Sequence, residues 1–215
     1  MIRAAKKLPP LPRKAVPTAA ATAILDVAQQ LAQTRGYNGF SYADIAAQLG
    51  VTKASLHYHF PSKAELGRAL IERYRGLFAA ALEGIDGQSL KPREKLERYV
   101  GLYESVLSSD RMCLCGMLAA EHSTLPPPMQ EGLKLFFDEN ERWLTRVLDA
   151  GLRAGVLLFA ESPKERARVL IGSLEGAMLV ARAYGNLQRF QAAAAFVLAD
   201  FSANAPAPKR GTKKA

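Results

Sequence analysis

Between positions 52 and 63 the chain places Thr52, Lys53, Ala54, Ser55, His57, Tyr58, His59 and Lys63. Hydroxyl, ammonium and imidazole groups at this density, with no carboxylate among them, suit an anionic partner that also forms hydrogen bonds. The base edges and phosphates of duplex DNA are such a partner. Lys53 can donate to a guanine edge or hold a phosphate, and Ser55 can bond to almost any base, so these residues point to a duplex without specifying its sequence. His57, Tyr58 and His59 are expected along the phosphate backbone. Lys63 brings a full charge to a helix N-terminus, where free backbone N–H groups also favour phosphate.

Other residue pairs offer weaker chemistry. Cys113 and Cys115 stand at i, i+2, which on a helix points them about 200° apart, a poor clamp for one metal ion. Buried free thiols are the expected reading. A redox-sensing thiol, activated by Arg111, is the alternative, and burial opposes it. His57 and His59 share that geometric problem and have no further ligands nearby in sequence, so neither a metal nor a cofactor is expected. The chain contains no Gly-x-Ser-x-Gly elbow, phosphate-binding loop, dinucleotide fingerprint or His-Glu-x-x-His, so an enzyme is not expected. Two rival classes remain: a thiol oxidoreductase using Cys113 and Cys115, and a helical adaptor that engages protein or membrane through its tails.

The elements that must position these groups read as helices throughout. The 215 residues are 49% hydrophobic and 23% charged, apolar residues recur at helical spacing, and no sustained alternation marks a strand, so the fold class is all-α. Thr18 is a plausible cap for a first helix burying Ile24, Val27, Ala28 and Leu31 and ending near Gly36. Ser41 and Asp44 form a variant capping box for a second helix that Gly50 closes. Thr52 caps a third helix of about two turns, which Phe60-Pro61 ends, because the residue before proline is pushed out of the α region. Ser62 and Glu65 form another capping box and open a longer helix with Leu66, Leu70, Tyr74, Leu77 and Phe78 on one face. Two short helices flanking Gly50-Val51-Thr52 make a helix-turn-helix, whose second helix can enter a major groove. The bland alternative is a helical hairpin inside a bundle.

Gly84 to Gly87 marks a break. Beyond it helices are expected near 91–109, 112–122, 126–152, 163–184 and 188–202, with Pro126-Pro127-Pro128 and Ser162-Pro163 as punctuation. The helix after the triple proline should bury Leu133, Phe136, Phe137, Asn140, Leu144 and Val147. Gly172-x-x-x-Gly176, with Leu174, Met178 and Ala192 to Ala195, suggests a small-residue seam between the last two helices. The domain reading is a disordered basic arm 1–17, a DNA-binding unit 18–63 linked by helix 62–82, a second unit 84–202 and a disordered basic tail 203–215.

Charge follows this division. The net charge is +9. Residues 1–75 hold eleven Lys and Arg against four acids, whereas residues 76–202 hold fourteen against sixteen, so the positive field lies on the proposed DNA side. The N-terminal arm has the composition to enter a minor groove. Its prolines replace the apolar core of a secretory signal, and no apolar run approaches the length of a bilayer span, so a soluble cytoplasmic protein is expected.

The run from Phe40 to Lys63, through Asp44-Ile45-Ala46, Leu49-Gly50-Val51 and Leu56-x-Tyr58-x-Phe60-x-x-Lys63, resembles the DNA-binding domain of the TetR family of bacterial transcriptional regulators. The resemblance covers residues 18–63. It implies a nine-helix protomer and a homodimer pairing through helices 163–184 and 188–202. It also implies palindromic operator DNA and a small-molecule effector that relieves repression. On it, Ser41 and the residues from Thr52 to Lys63 named above would contact DNA. His57 stands where the family most often has tyrosine. The segment Arg111 to Glu121 is similar to one near the effector cavity in a TetR subgroup. An effector pocket would then draw on Tyr74, Tyr99, Tyr103, Cys113, Met117, His122, Phe137, Trp143 and Glu175, with Glu121 and Phe136 as further candidates.

Overall fold

A computed structural model describes residues 18–201, and the basic arm 1–17 and tail 203–215 lie outside the described residues. Among the described residues the chain forms nine α-helices, no strand and one short 3₁₀ turn. The first three helices are α1 (Ala19–Arg35), α2 (Tyr42–Leu49) and α3 (Lys53–His59). Their ends follow local chemistry. Thr18 Oγ1 accepts from the N–H of Ala21 at 3.2 Å, and the Asp44 carboxylate takes the backbone N–H of Ser41 at 2.7 Å and its hydroxyl at 2.6 Å. Those bonds hold the Asp44 carboxyl below its usual range. Thr52 Oγ1 accepts from the N–H of Ser55 at 3.3 Å, and Phe60 leaves the helix in an extended conformation.

Gly50 ends α2 with φ +66°, and a Cβ there would meet open space. The glycine is therefore required by backbone conformation alone. Gly50→Val is expected to destabilise the three-helix unit by about 1–2 kcal/mol, seen as a lower thermal midpoint without loss of helix content.

The fourth helix, α4 (Lys63–Asp86), is 24 residues long and spans about 36 Å. Its first turns cover the three-helix unit through buried Leu66 and Leu70. Farther on, Tyr74, Leu82 and Ile85 pack into the second unit. Two expectations at this helix are corrected. Gly84 lies inside it and the break falls at Gly87. Leu77 is exposed because it points away from both units. Of the second capping box only half forms: Ser62 Oγ accepts from the N–H of Glu65 at 3.2 Å, while Glu65 Oε2 is buried without a partner.

The second unit contains α5 (Pro92–Leu107), α6 (Leu114–Ala120), α7 (Pro127–Arg153), α8 (Pro163–Ala183) and α9 (Leu187–Ala199), with the 3₁₀ turn at His122–Thr124. The sixth helix is shorter than expected, with extended Cys113 as its N-cap. On α7, Trp143 is buried and Phe137 only partly so. The crossing of α4 over α7 is close: a Cβ on Gly67 would lie 2.4 Å from Met129 Sδ, and one on Gly132 would lie 2.9 Å from Ile71 Cγ2. Gly172 and Gly176 meet nothing within 4 Å of a built Cβ, so they do not form the α8–α9 seam. They face outward.

Candidate functional site

Helix α3 buries a single residue, Leu56, against the rest of the unit. Thr52, Lys53, Ala54, Ser55, His57 and Tyr58 are exposed, and His59 is partly so. Tyr58 is 85% exposed, an unusual position for an aromatic ring unless a partner covers it. Tyr42 holds the far end of the rod, its hydroxyl donating to the Phe60 carbonyl at 2.7 Å; burial pushes its own proton affinity up, to about 12. The rod is thus anchored from behind and bare in front.

Three side chains in this region are already engaged. Ser41, exposed at the start of α2, gives its hydroxyl to Asp44. His57 stacks on Tyr42 at 4.7 Å between centroids, and its Nδ1 lies 3.1 Å from the Pro61 carbonyl. A carbonyl only accepts, so Nδ1 carries the proton and a neutral ring offers a lone pair at Nε2. While that contact holds, His57 donates to a phosphate only as the imidazolium. Lys63 donates to the carbonyl oxygens of Tyr37 and Phe40, with both rings 4.4–4.5 Å from its Nζ. Partial burial pushes its affinity for the proton down, against the pull of Glu121 and Asp44. Its main contacts brace the α1–α2 turn, and it also lines an open recess with Lys53 and His57.

That turn is the joint between the two units. The Glu121 carboxylate accepts the backbone N–H groups of Tyr37 at 2.6 Å and Asn38 at 3.2 Å. Gln33 and Met112 exchange two hydrogen bonds, at 2.8 and 3.2 Å, and the Arg182 guanidinium donates to the carbonyls of Gln33 and Thr34. Sequence reasoning offers Glu121 as a pocket residue and does not single out Gln33 or Arg182. Their partners lie 79 to 149 residues away along the chain, beyond any local signal.

Inside the second unit lies a cavity of about 10 Å³, lined by Tyr74, Phe78, Leu102, Tyr103, Val106, Cys113 and Met178. Tyr99 stands behind it, 3.1 Å from both the Tyr103 hydroxyl and the Asn140 amide oxygen. The Tyr74 hydroxyl lies 3.9 Å from Cys113 Sγ. The Cys113 thiol lies close enough to the Glu175 carboxyl for each to act on the other's proton. Both thiols are free and buried, and burial together with Glu175 pushes them well above their usual range, so the thiolate needed for redox sensing is disfavoured at rest. Of the effector candidates, Tyr74, Tyr99, Tyr103, Cys113 and Glu175 come together here. Trp143 lies on an outer recess, stacked on Tyr99 with Nε1 donating to Asp86 at 2.9 Å. Phe137 touches Phe136 edge to face and lines neither cavity nor recess. Met117 contacts Arg182 and exposed His122 lies in the 3₁₀ turn, so both belong to the joint.

No helix among the described residues is long and apolar enough to cross a membrane. Residues 24–70 match the family model of bacterial regulatory proteins, tetR family. A TetR-family transcriptional regulator from Agrobacterium tumefaciens is 34% identical, with a TM-score of 0.84 over 87% of this chain and 100% of that one. A TetR transcriptional regulator from Legionella pneumophila is 35% identical, with a TM-score of 0.77 over 84% and 96%. The HTH-type transcriptional repressor DhaR of Mycobacterium sp. (strain GP1) is 27% identical over 73% of this chain and 79% of its own. With its bare α3 rod and these full-length likenesses, the chain belongs to the TetR family and is a DNA-binding transcriptional regulator.

Proposed function

We propose that the chain is a homodimeric cytoplasmic repressor that places two copies of α3 in successive major grooves of a palindromic operator and leaves when a small molecule enters the second unit. The observation that carries this reading is the exposure of α3 on every side but Leu56. Thr52, Lys53, Ser55 and Tyr58 are the base and phosphate contacts, and residues 18–63 are the DNA-binding unit.

A second apolar surface supports pairing. On the outer face of α8, Val169, Leu179 and Val180 are each more than half exposed and flank Gly172 and Gly176. On α9, Phe196 is 78% exposed between outward-facing Ala192, Ala195 and Ala199. A face of this kind is what a four-helix dimer interface buries, and two-fold pairing turns one recognition helix into two with a fixed separation. The ligand acts on that separation. A molecule that binds better when α6 has shifted pulls on Glu121, and through it on the α1–α2 turn, moving the population off DNA.

The test is anisotropy of duplexes selected from a random pool. The selected sites are expected to be palindromic, and log affinity should fall steeply with log salt, by about 0.9 per phosphate neutralised. Selection of no common site, or affinity indifferent to salt, contradicts the reading.

A further inference from the structure

The largely buried carboxyl of Glu175 on α8 is poorly compensated. Its Oε1 is buried with no hydrogen-bond partner among the described residues. The groups that act on it from the elements packed around it are the Cys113 thiol and burial itself, with no cationic side chain among them; the groups that feel its charge are Cys115, Tyr99 and Tyr103. Desolvation therefore pushes the carboxyl up to about 7. The placement is built rather than accidental. The carboxyl rests on the bare Cα of Gly116, where a Cβ would come within 2.2 Å of Oε2, so glycine keeps this space open for it.

Cys113, the neighbour of Glu175, is also a wall of the internal cavity, together with the rings of Tyr74, Phe78 and Tyr103. Partly buried Phe78 is shared between this cavity and the outer recess of about 160 Å³ that Trp143 and Phe136 also line. As it stands the cavity holds at most one water-sized guest. If Phe78 swings, the cavity joins the recess and makes a chamber with aromatic faces on one side and, on the other, Cys113, behind which the Glu175 carboxyl stands. Aromatic faces carry negative charge density and attract cations, a buried carboxylate does the same with more force, and both repel anions.

We propose that this chamber takes a compact organic cation, an ammonium head on an apolar or aromatic body, with Glu175 as its counter-ion. The assignment rests on the effector-release reading above and names the chemical class of that effector. A cation in the chamber supplies the nearby positive charge that the empty protein lacks and so lets Glu175 ionise in place. Binding therefore releases a proton from Glu175 below about pH 7.

The experiment titrates the full chain, without DNA, with three probes of matched body and different charge: benzyltrimethylammonium, its uncharged isostere neopentylbenzene, and phenylacetate. The fluorescence of Trp143, the sole tryptophan, reports binding. The expected result is saturable binding of the cation, at least about tenfold tighter than the neutral isostere, and no binding of phenylacetate. Glu175→Gln should erase that preference while melting no lower than the wild type above pH 7, since it removes a buried charge. Equal binding of cation and isostere, binding of phenylacetate, or no binding of the cation at millimolar concentration overturns the proposal, and these comparisons use the wild-type chain, so they stand even if the variant misfolds. Operator release is scored separately. Glu175-dependent cation binding that leaves the operator complex intact supports the ligand class and sinks effector release. Release by molecules whose binding is indifferent to Glu175→Gln does the reverse.

Discussion

Val180→Asp is expected to leave a folded monomer that no longer holds its operator. Val180 is 51% exposed on the outer face of α8, so the isolated protomer loses little by the change, within about 0.5 kcal/mol. In a two-fold interface the same position meets its copy or the neighbouring apolar residues, and a carboxylate there is desolvated without a partner. The penalty is about 3 kcal/mol or more, which weakens pairing at least about a hundredfold. Operator affinity then falls further, because the second recognition helix no longer acts as an intramolecular ligand at an effective concentration near the millimolar range. Light scattering coupled to size exclusion reads the mass, and circular dichroism reads the unchanged fold. A dimer surviving the substitution would remove α8 from the interface.

Tyr58→Ala combined with Lys53→Ala is expected to weaken operator binding about a hundredfold with no effect on stability. Among the described residues Tyr58 makes no hydrogen bond, only an edge contact with His59 at 5.1 Å between centroids, and Lys53 is exposed, so nothing inside the unit depends on either. Each supplies about 1–2 kcal/mol to the complex. Loss of the lysine should also reduce the salt slope by about one if it sits on a phosphate. Unchanged affinity in the double variant, measured by anisotropy at fixed salt, would mean that α3 does not face the duplex.

The three-helix unit was legible in the sequence because its boundaries are set by neighbours in the chain. Thr18, Ser41, Gly50, Thr52 and the Phe60-Pro61 step each act over three or four residues, the range in which local hydrogen bonds and proline sterics operate. Lys63 was legible only as a charge at a helix start. Its two carbonyl partners come from Phe40 and Tyr37, 23 and 26 residues earlier, and only the folded turn brings them beneath the ammonium. The same limit separates the effector candidates. Tyr74, Tyr103 and Cys113 reach one cavity because α4, α5 and the cap of α6 converge there. Met117 and His122 fall away because α6 ends at Ala120 and the chain turns towards the joint. Gly172 and Gly176 were legible as a close-approach surface, yet their spacing does not say which helix approaches. The open space around them answers that for the protomer: neither faces α9.

A hydroxyl-radical footprint of the full chain on a selected operator, paired with the mass of the complex, reads the paired recognition helices directly. Two protomers are expected on one duplex. They should protect two half-sites related by a dyad and spaced by whole helical turns of about 34–36 Å. At a protein concentration that just saturates the wild-type site, both footprints should vanish together in the Lys53→Ala, Tyr58→Ala variant. A single protomer bound, a footprint without a dyad, or protection that persists in that variant would contradict paired binding through α3.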